Sequence, residues 1–298
     1  MKTQVIRLLV AASLVALPGL LQAQPSAHYV PGVEGIKAAS LPPPGIYLRD
    51  YNVGYYSSRA NDAGGRSAGP PNFEAYTYAN VPRVIWITDT KVLGGYVGVD
   101  ALLPLIYQHL TAGPYDDGTF GIGDFFAEST LSWHPSRFDL AAGIGVWTPT
   151  GDSSSQPPPA LSTRAGLGYW TPMLTAGATW YIDAEKTWAV SALNRYEFNT
   201  RQRDTHIRPG QAYTLEWGAS KTVMKVVDLG AVGYYQQQVT ANSGSPSSSR
   251  NRVAAVGPEV NVVLPKLMLF ASLRYDYEFM AENRAQGHTF ALTLTKRF

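Results

Sequence analysis

Charged side chains spaced two apart are the residues of this chain that could do chemistry. Arg274, Asp276 and Glu278 alternate with Leu273, Tyr275, Tyr277 and Phe279, and Leu269 and Ala271 extend the apolar set. A strand sends successive side chains to opposite faces. One face therefore gathers a guanidinium and two carboxylates, which can pair, hold water or meet a polar solute. The other face suits lipid. The final segment repeats the pattern, with Phe290, Leu292, Leu294 and Phe298 against Thr289, Thr293, Thr295 and Arg297. Lys296 departs from it, standing where an apolar residue is expected.

The same reading assigns further charges to an inner face. Tyr96 and Asp100 oppose Val97, Val99, Ala101 and Leu103. Asp124 and Glu128 oppose Phe125, Ala127, Leu131 and Trp133. Arg195 and Glu197 oppose Trp188, Val190, Tyr196 and Phe198, and Glu216 opposes Tyr213, Leu215 and Trp217. Asp228, Glu259 and Asn261 follow suit. A Lys or Arg on the lipid face costs ~2–4 kcal/mol at the bilayer midplane, so these groups are expected to point into a lumen. They could line a solute path, with Tyr96, Trp147, Tyr181 and Tyr234 offering aromatic surface. They could equally form a bracing network in which Arg195 and Arg274 neutralise carboxylates, because buried charges need partners in either case.

Other chemistry is thinly represented. His134-Pro135-Ser136 has the His-x-Ser spacing found in some outer-membrane lipid hydrolases, but Pro135 makes it a good turn. The sequence near it offers no orienting third group or oxyanion donor pair. The five histidines share no ligand spacing, and Asp116-Asp117 and Gly151-Asp152 fall short of the 6–8 oxygens of a Ca²⁺ site. No metal or other cofactor is expected. Cysteine is absent, which excludes disulfides and thiolate sites.

The elements that must hold such faces are barrel strands. No segment after the leader holds about 18 consecutive apolar residues, so helical spans are excluded. Alternating segments run at roughly 46–58, 79–89, 92–110, 118–133, 136–148, 168–183, 185–199, 209–221, 224–240, 251–264, 267–282 and 286–298, with ends uncertain by ~2–4 residues. Tight turns are expected at Asp89-Thr90, His134-Pro135-Ser136, Ala184-Glu185, Thr222-Val223 and Pro265-Lys266. Longer connections fall at 59–78, 111–117, 149–167, 200–208, 241–250 and, as the shortest example, 283–285. Alternating short and long connections, together with an even strand count, describe an all-β, antiparallel transmembrane β-barrel of the outer membrane with both termini in the periplasm. The 18 tyrosines and 7 tryptophans suit interfacial girdles. The terminal Phe298 fits recognition by the outer-membrane assembly machinery.

Three parts result. Residues 1–23 read as a cleaved signal peptide, with Lys2 and Arg7 before an apolar run from Leu8 to Leu21. Residues 24–45 are rich in Pro and Gly without alternation, and residues 46–298 form the barrel. Without the leader, the 24 basic and 22 acidic residues become 22 and 22, so no basic patch invites nucleic acid.

HYVPGVEGIKAASLPPPGIYLRDYN at 28–52, GIGDF at 121–125 and WTPTGD at 147–152 resemble the family named for the meta-pathway of phenol degradation, whose members are also labelled SphA-type or transporter-like outer-membrane proteins. That family is similar in outline to outer-membrane channels for fatty acids and aromatic hydrocarbons. The resemblance implies an N-terminal plug formed by 24–45, and passive uptake of small hydrophobic or aromatic solutes through a barrel in outer-membrane lipid. The alternative expectations are a structural or surface-interaction barrel acting through its long loops, and an outer-membrane lipid hydrolase.

Overall fold

Period-two alternation becomes a closed sheet in the computed structural model, which describes residues 27–153, 163–245 and 248–298. The expected signal peptide lies outside these residues. Fourteen strand segments follow in order: β1 (Gly45–Ser57), β2 (Glu74–Val92), β3 (Gly95–Leu102), β4 (Leu105–Ala112), β5 (Tyr115–Ile122), β6 (Phe125–Trp133), β7 (Phe138–Thr148), β8 (Thr171–Tyr181), β9 (Trp188–Glu197), β10 (Ala212–Val223), β11 (Val227–Gln238), β12 (Arg252–Leu264), β13 (Leu269–Glu282) and β14 (His288–Arg297). β1 pairs antiparallel with both β14 and β2, which closes the sheet.

β3 and β4 are two halves of one wall strand, since both pair with β2. β5 and β6 are likewise halves of the next, paired to β4 and β3 respectively. The barrel therefore has twelve strands, as the alternation predicts. The first break falls at Leu103-Pro104, because proline supplies no N–H to a ladder. The second lies beside it at Gly123-Asp124. Two bonds stitch the gap: Leu103 N–H donates to Pro82 O (3.3 Å) and Gly123 N–H to Pro104 O (2.7 Å).

Three expected connections are corrected. β2 runs on to Val92, so its turn is Leu93-Gly94 rather than Asp89-Thr90. Both turn residues have positive φ (+51° and +79°), the geometry that matches strand twist in a two-residue hairpin. β10 pairs with β11 up to Val223, which moves the next turn beyond Thr222-Val223 to 224–226. The expected loop at 111–117 is a hairpin in which Gly113 and Pro114 alone separate β4 from β5. Short and long connections otherwise alternate, although the connection at 283–287 is no longer than the turn at 182–187. The termini of the barrel, Gly45 and Phe298, lie at the short-turn end. In the turn after β8, Asp183 accepts from the Thr187 hydroxyl and the Trp188 N–H, which hold its carboxyl low, at about 2.

The outer face carries exposed Leu273, Phe279, Phe290, Trp86 and Trp188, while Arg274, Asp276 and Glu278 are buried inside. Two departures are each satisfied locally. The Lys296 ammonium reaches the Leu267 carbonyl at the short-turn end, the behaviour of a long cation near an interface. On the outer face of β1 and β2, Asp50 accepts from Asn52 Nδ2 (2.9 Å) and Asn80 Nδ2 (2.8 Å), and Tyr78 donates to Asn52 Oδ1 (2.8 Å).

If the outer face meets lipid, Leu273→Arg will lower unfolding stability in bilayers by ~2–4 kcal/mol. Denaturant titration in liposomes checks this, and an unchanged midpoint would place β13 the other way round.

Candidate functional site

Residues 27–44 form no strand, so their backbone N–H groups find no ladder. Buried amides need acceptors, and three wall glutamates provide them. Glu197 Oε1 accepts from the N–H of His28 (2.8 Å) and of Tyr29 (3.1 Å). Glu216 Oε1 accepts from Gly32 N–H (2.9 Å) and Glu34 N–H (3.0 Å). Glu259 Oε2 accepts from Ile36 N–H (2.9 Å). The segment thus passes β9, β10 and β12 in turn, on the inside of the barrel.

Its course runs from the long-loop end to the short-turn end. The His28 ring nitrogens lie 2.9 Å from Asp124 Oδ2 and 2.8 Å from Thr171 Oγ1, and the ring stacks on Trp147. Asp124 also accepts from Gly151 N–H (2.9 Å) and Leu167 N–H (2.7 Å). One carboxylate at the wall break therefore joins the segment to the loop after β7. Lower down, Lys37 pairs with Asp228 at 2.8 Å. At the short-turn end Tyr47 donates to Pro43 O (2.7 Å).

Two glycines permit this fit. Gly32 has φ +84°, and a Cβ there would stand 2.8 Å from the Tyr234 ring. A Cβ on Gly35 would stand 1.7 Å from Glu259 Oε2. A side chain at either glycine would have to displace the wall group that it meets.

Charge pairing organises the rest. Arg195 lies 2.7 Å from Glu216, and Arg274 lies 3.0 Å from Glu259 and also donates to Gly32 O. Arg83 bridges Asp100 (2.9 Å), Glu34 (3.3 Å) and Glu128 (3.5 Å). Arg49 lies 3.2 Å from Glu34, which also accepts from Tyr51 OH (2.7 Å). Glu278 accepts from Tyr234 (2.9 Å) and Tyr55 (3.0 Å) and faces Arg284 at 3.5 Å. Asp276 is buried with both oxygens unpartnered among the described residues.

The inward residues read from the sequence therefore fall into one connected interior. Tyr96, half-buried near the short-turn end with Lys91 over its ring at 4.5 Å, joins it by apolar packing on Tyr47, Ile85 and Ile87 rather than by a charge contact. Of the other aromatic candidates, Trp147 meets His28, Tyr234 bonds Glu278, and Tyr181 donates to Asp139 (2.6 Å). The sequence reading overlooked Glu34, Arg49 and Arg83. Arg49 sits between Tyr47 and Tyr51 and Arg83 two before Ile85, so the alternation itself held the signal.

The turn histidine also differs from expectation. His134 Nδ1 lies 2.9 Å from Asp139 Oδ1, so an orienting carboxylate is present. Ser136 is exposed. Among the described residues no group of three or more His, Asp or Glu is placed to hold a metal ion.

A closed antiparallel barrel with an apolar outer belt and a charged interior defines the outer-membrane β-barrel class. The chain is similar to the COG4313 outer-membrane channel from Pseudomonas putida F1, at 15% identity and a TM-score of 0.76 over 91% of this chain and 100% of that one. It is also similar to the β-domain of the Bordetella autotransporter BrkA, at 12% identity and a TM-score of 0.50 over 85% and 99% of the two chains. A comparison with curated proteins finds no match. The family model described as putative MetA-pathway of phenol degradation matches residues 57–294, and the chain belongs to that family.

Arg274→Ala strands the Glu259 carboxylate and will cost about 3–5 kcal/mol of stability, the usual loss on breaking a buried pair. Arg250, exposed in the loop after β11, donates to Val239 O, and its alanine variant will stay within ~0.5 kcal/mol of wild type. Equal melting temperatures for the two variants would rule out the bracing role.

Proposed function

We propose that this protein is an outer-membrane channel for passive entry of small hydrophobic or aromatic compounds, with its short-turn end in the periplasm. The observation that carries this reading is the segment 27–44 seated on wall glutamates inside a closed barrel. It divides a twelve-strand interior into narrow spaces, which suits selected small solutes rather than bulk water. The solute class is suggested by the phenol-degradation description of the family. The inward charges at Asp100, Glu128, Arg195, Glu216, Glu259 and Arg274 would border the route, and residues 27–44 would act as its plug.

The channel reading needs no chemistry. Cells lacking the gene will take up a scarce phenolic substrate more slowly, and the difference will shrink at high concentration. Deleting residues 26–41 will raise single-channel conductance several-fold in planar bilayers. Ser136→Ala and His134→Ala will restore uptake as well as the wild type does. Lipase activity abolished by Ser136→Ala would favour a hydrolase instead. Unaltered uptake across a broad solute panel would favour a surface-interaction barrel.

A further inference from the structure

Between residues 33–43 and the wall lies a chamber of about 400 Å³. Toward the barrel middle it is bordered by Glu34, Arg49 and Arg83. Toward the short-turn end Leu41, Ile85 and Phe270 make it apolar. A volume of this order is typical of small-molecule sites. It exceeds the ~150 Å³ in which an apolar cavity can hold benzene.

Five basic and five acidic side chains line the chamber. Each of the five bases is ion-paired. The lining has no net charge and no free cation, so an anionic ligand would enter without a counter-charge, at high cost. A pure hydrocarbon fits no better. Three lining residues hold a buried polar atom that lacks a partner among the described residues: Arg195 Nε, Asn261 Oδ1 and Thr293 Oγ1. The set includes a donor, an acceptor and a hydroxyl that does both. An atom left unpaired there is costly, so a ligand that pairs with it gains. Asn261 and Thr293 line the chamber as near neighbours, one on either side of Ser272 in the sheet.

We infer that this chamber is a binding site for a small uncharged molecule with an apolar body and one or two hydroxyl groups. The ring or chain lies against Leu41, Ile85 and Phe270. The hydroxyl exchanges hydrogen bonds with Asn261, Thr293 and their neighbours, displacing water. The inference narrows the solute class of the channel reading and rests on that reading for its physiological role, whereas binding itself does not require transport.

Calorimetric titration of the purified mature protein in detergent tests it, with phenol, benzene and benzoate at pH 7 as probes. Phenol will bind saturably and at least tenfold more tightly than benzene or benzoate. The double variant Asn261→Leu/Thr293→Val will weaken phenol at least fivefold and leave benzene unchanged or tighter. Absent phenol binding, or equal binding of phenol and benzene, overturns the site, because the chamber then holds only water or apolar solute. Phenol binding unchanged in the double variant overturns it too. Should that variant fail to fold, the ranking of three probes on the wild type decides alone. Slowed cellular uptake without phenol binding removes the chamber and keeps the channel. Phenol binding with normal uptake in cells lacking the gene does the reverse.

Discussion

A backbone that is neither strand nor helix can cross a barrel interior only if something accepts its N–H groups. Here Glu197, Glu216 and Glu259 do so from three different wall strands, each through an oxygen that also fixes the height of the segment. Buried charge on two of them is balanced by cations, which accounts for Arg195 beside Glu216 and Arg274 beside Glu259. The two arginines are therefore second in a chain of causes that starts with Pro31 and the glycines around it. The closeness of Gly35 to Glu259 follows from the same demand, since a side chain there would displace the carboxylate from its amide.

The interior is consequently polar in its middle and more apolar toward the short-turn end. Glu34 extends the network from the segment to the opposite wall, where Arg83 gathers Asp100 and Glu128. Contacts from the segment thus reach β1, β2, β9, β10 and β12, well spread around the circumference. Shifting the segment would unpair charges on several strands at once.

Much of this was legible because strands encode faces with a period of two. Arg274, Asp276 and Glu278 could be placed inside from spacing alone. The breaks at Pro104 and Gly123 were harder, since apolar alternation continues through Leu103 and Phe125 on either side of them. The strand at 46–58 was read, but its faces were obscured by Asp50 and Asn52, whose outward polarity makes both look wet and hides Arg49. The β2 turn slid past Asp89-Thr90 because β-propensity yields to the positive φ that Leu93-Gly94 adopts. His134 found Asp139 only because the turn folds five residues back on themselves, a contact that alternation cannot report.

The position of residues 27–44 in the chain bears on how the molecule is assembled. They come before β1, yet His28 meets Glu197 at a separation of 169 residues and Ile36 meets Glu259 at 223. Nothing can hold them in place until most of the wall has been made. The β1–β14 seam, with Tyr47 opposite Arg297, joins the two ends of the barrel chain. Once that seam zips, the segment is enclosed. Contacts this remote in sequence form slowly, because a long loop must close before any reward arrives. Seating the segment and shutting the seam are therefore both late events, and the glutamates go without their amide partners until the segment arrives.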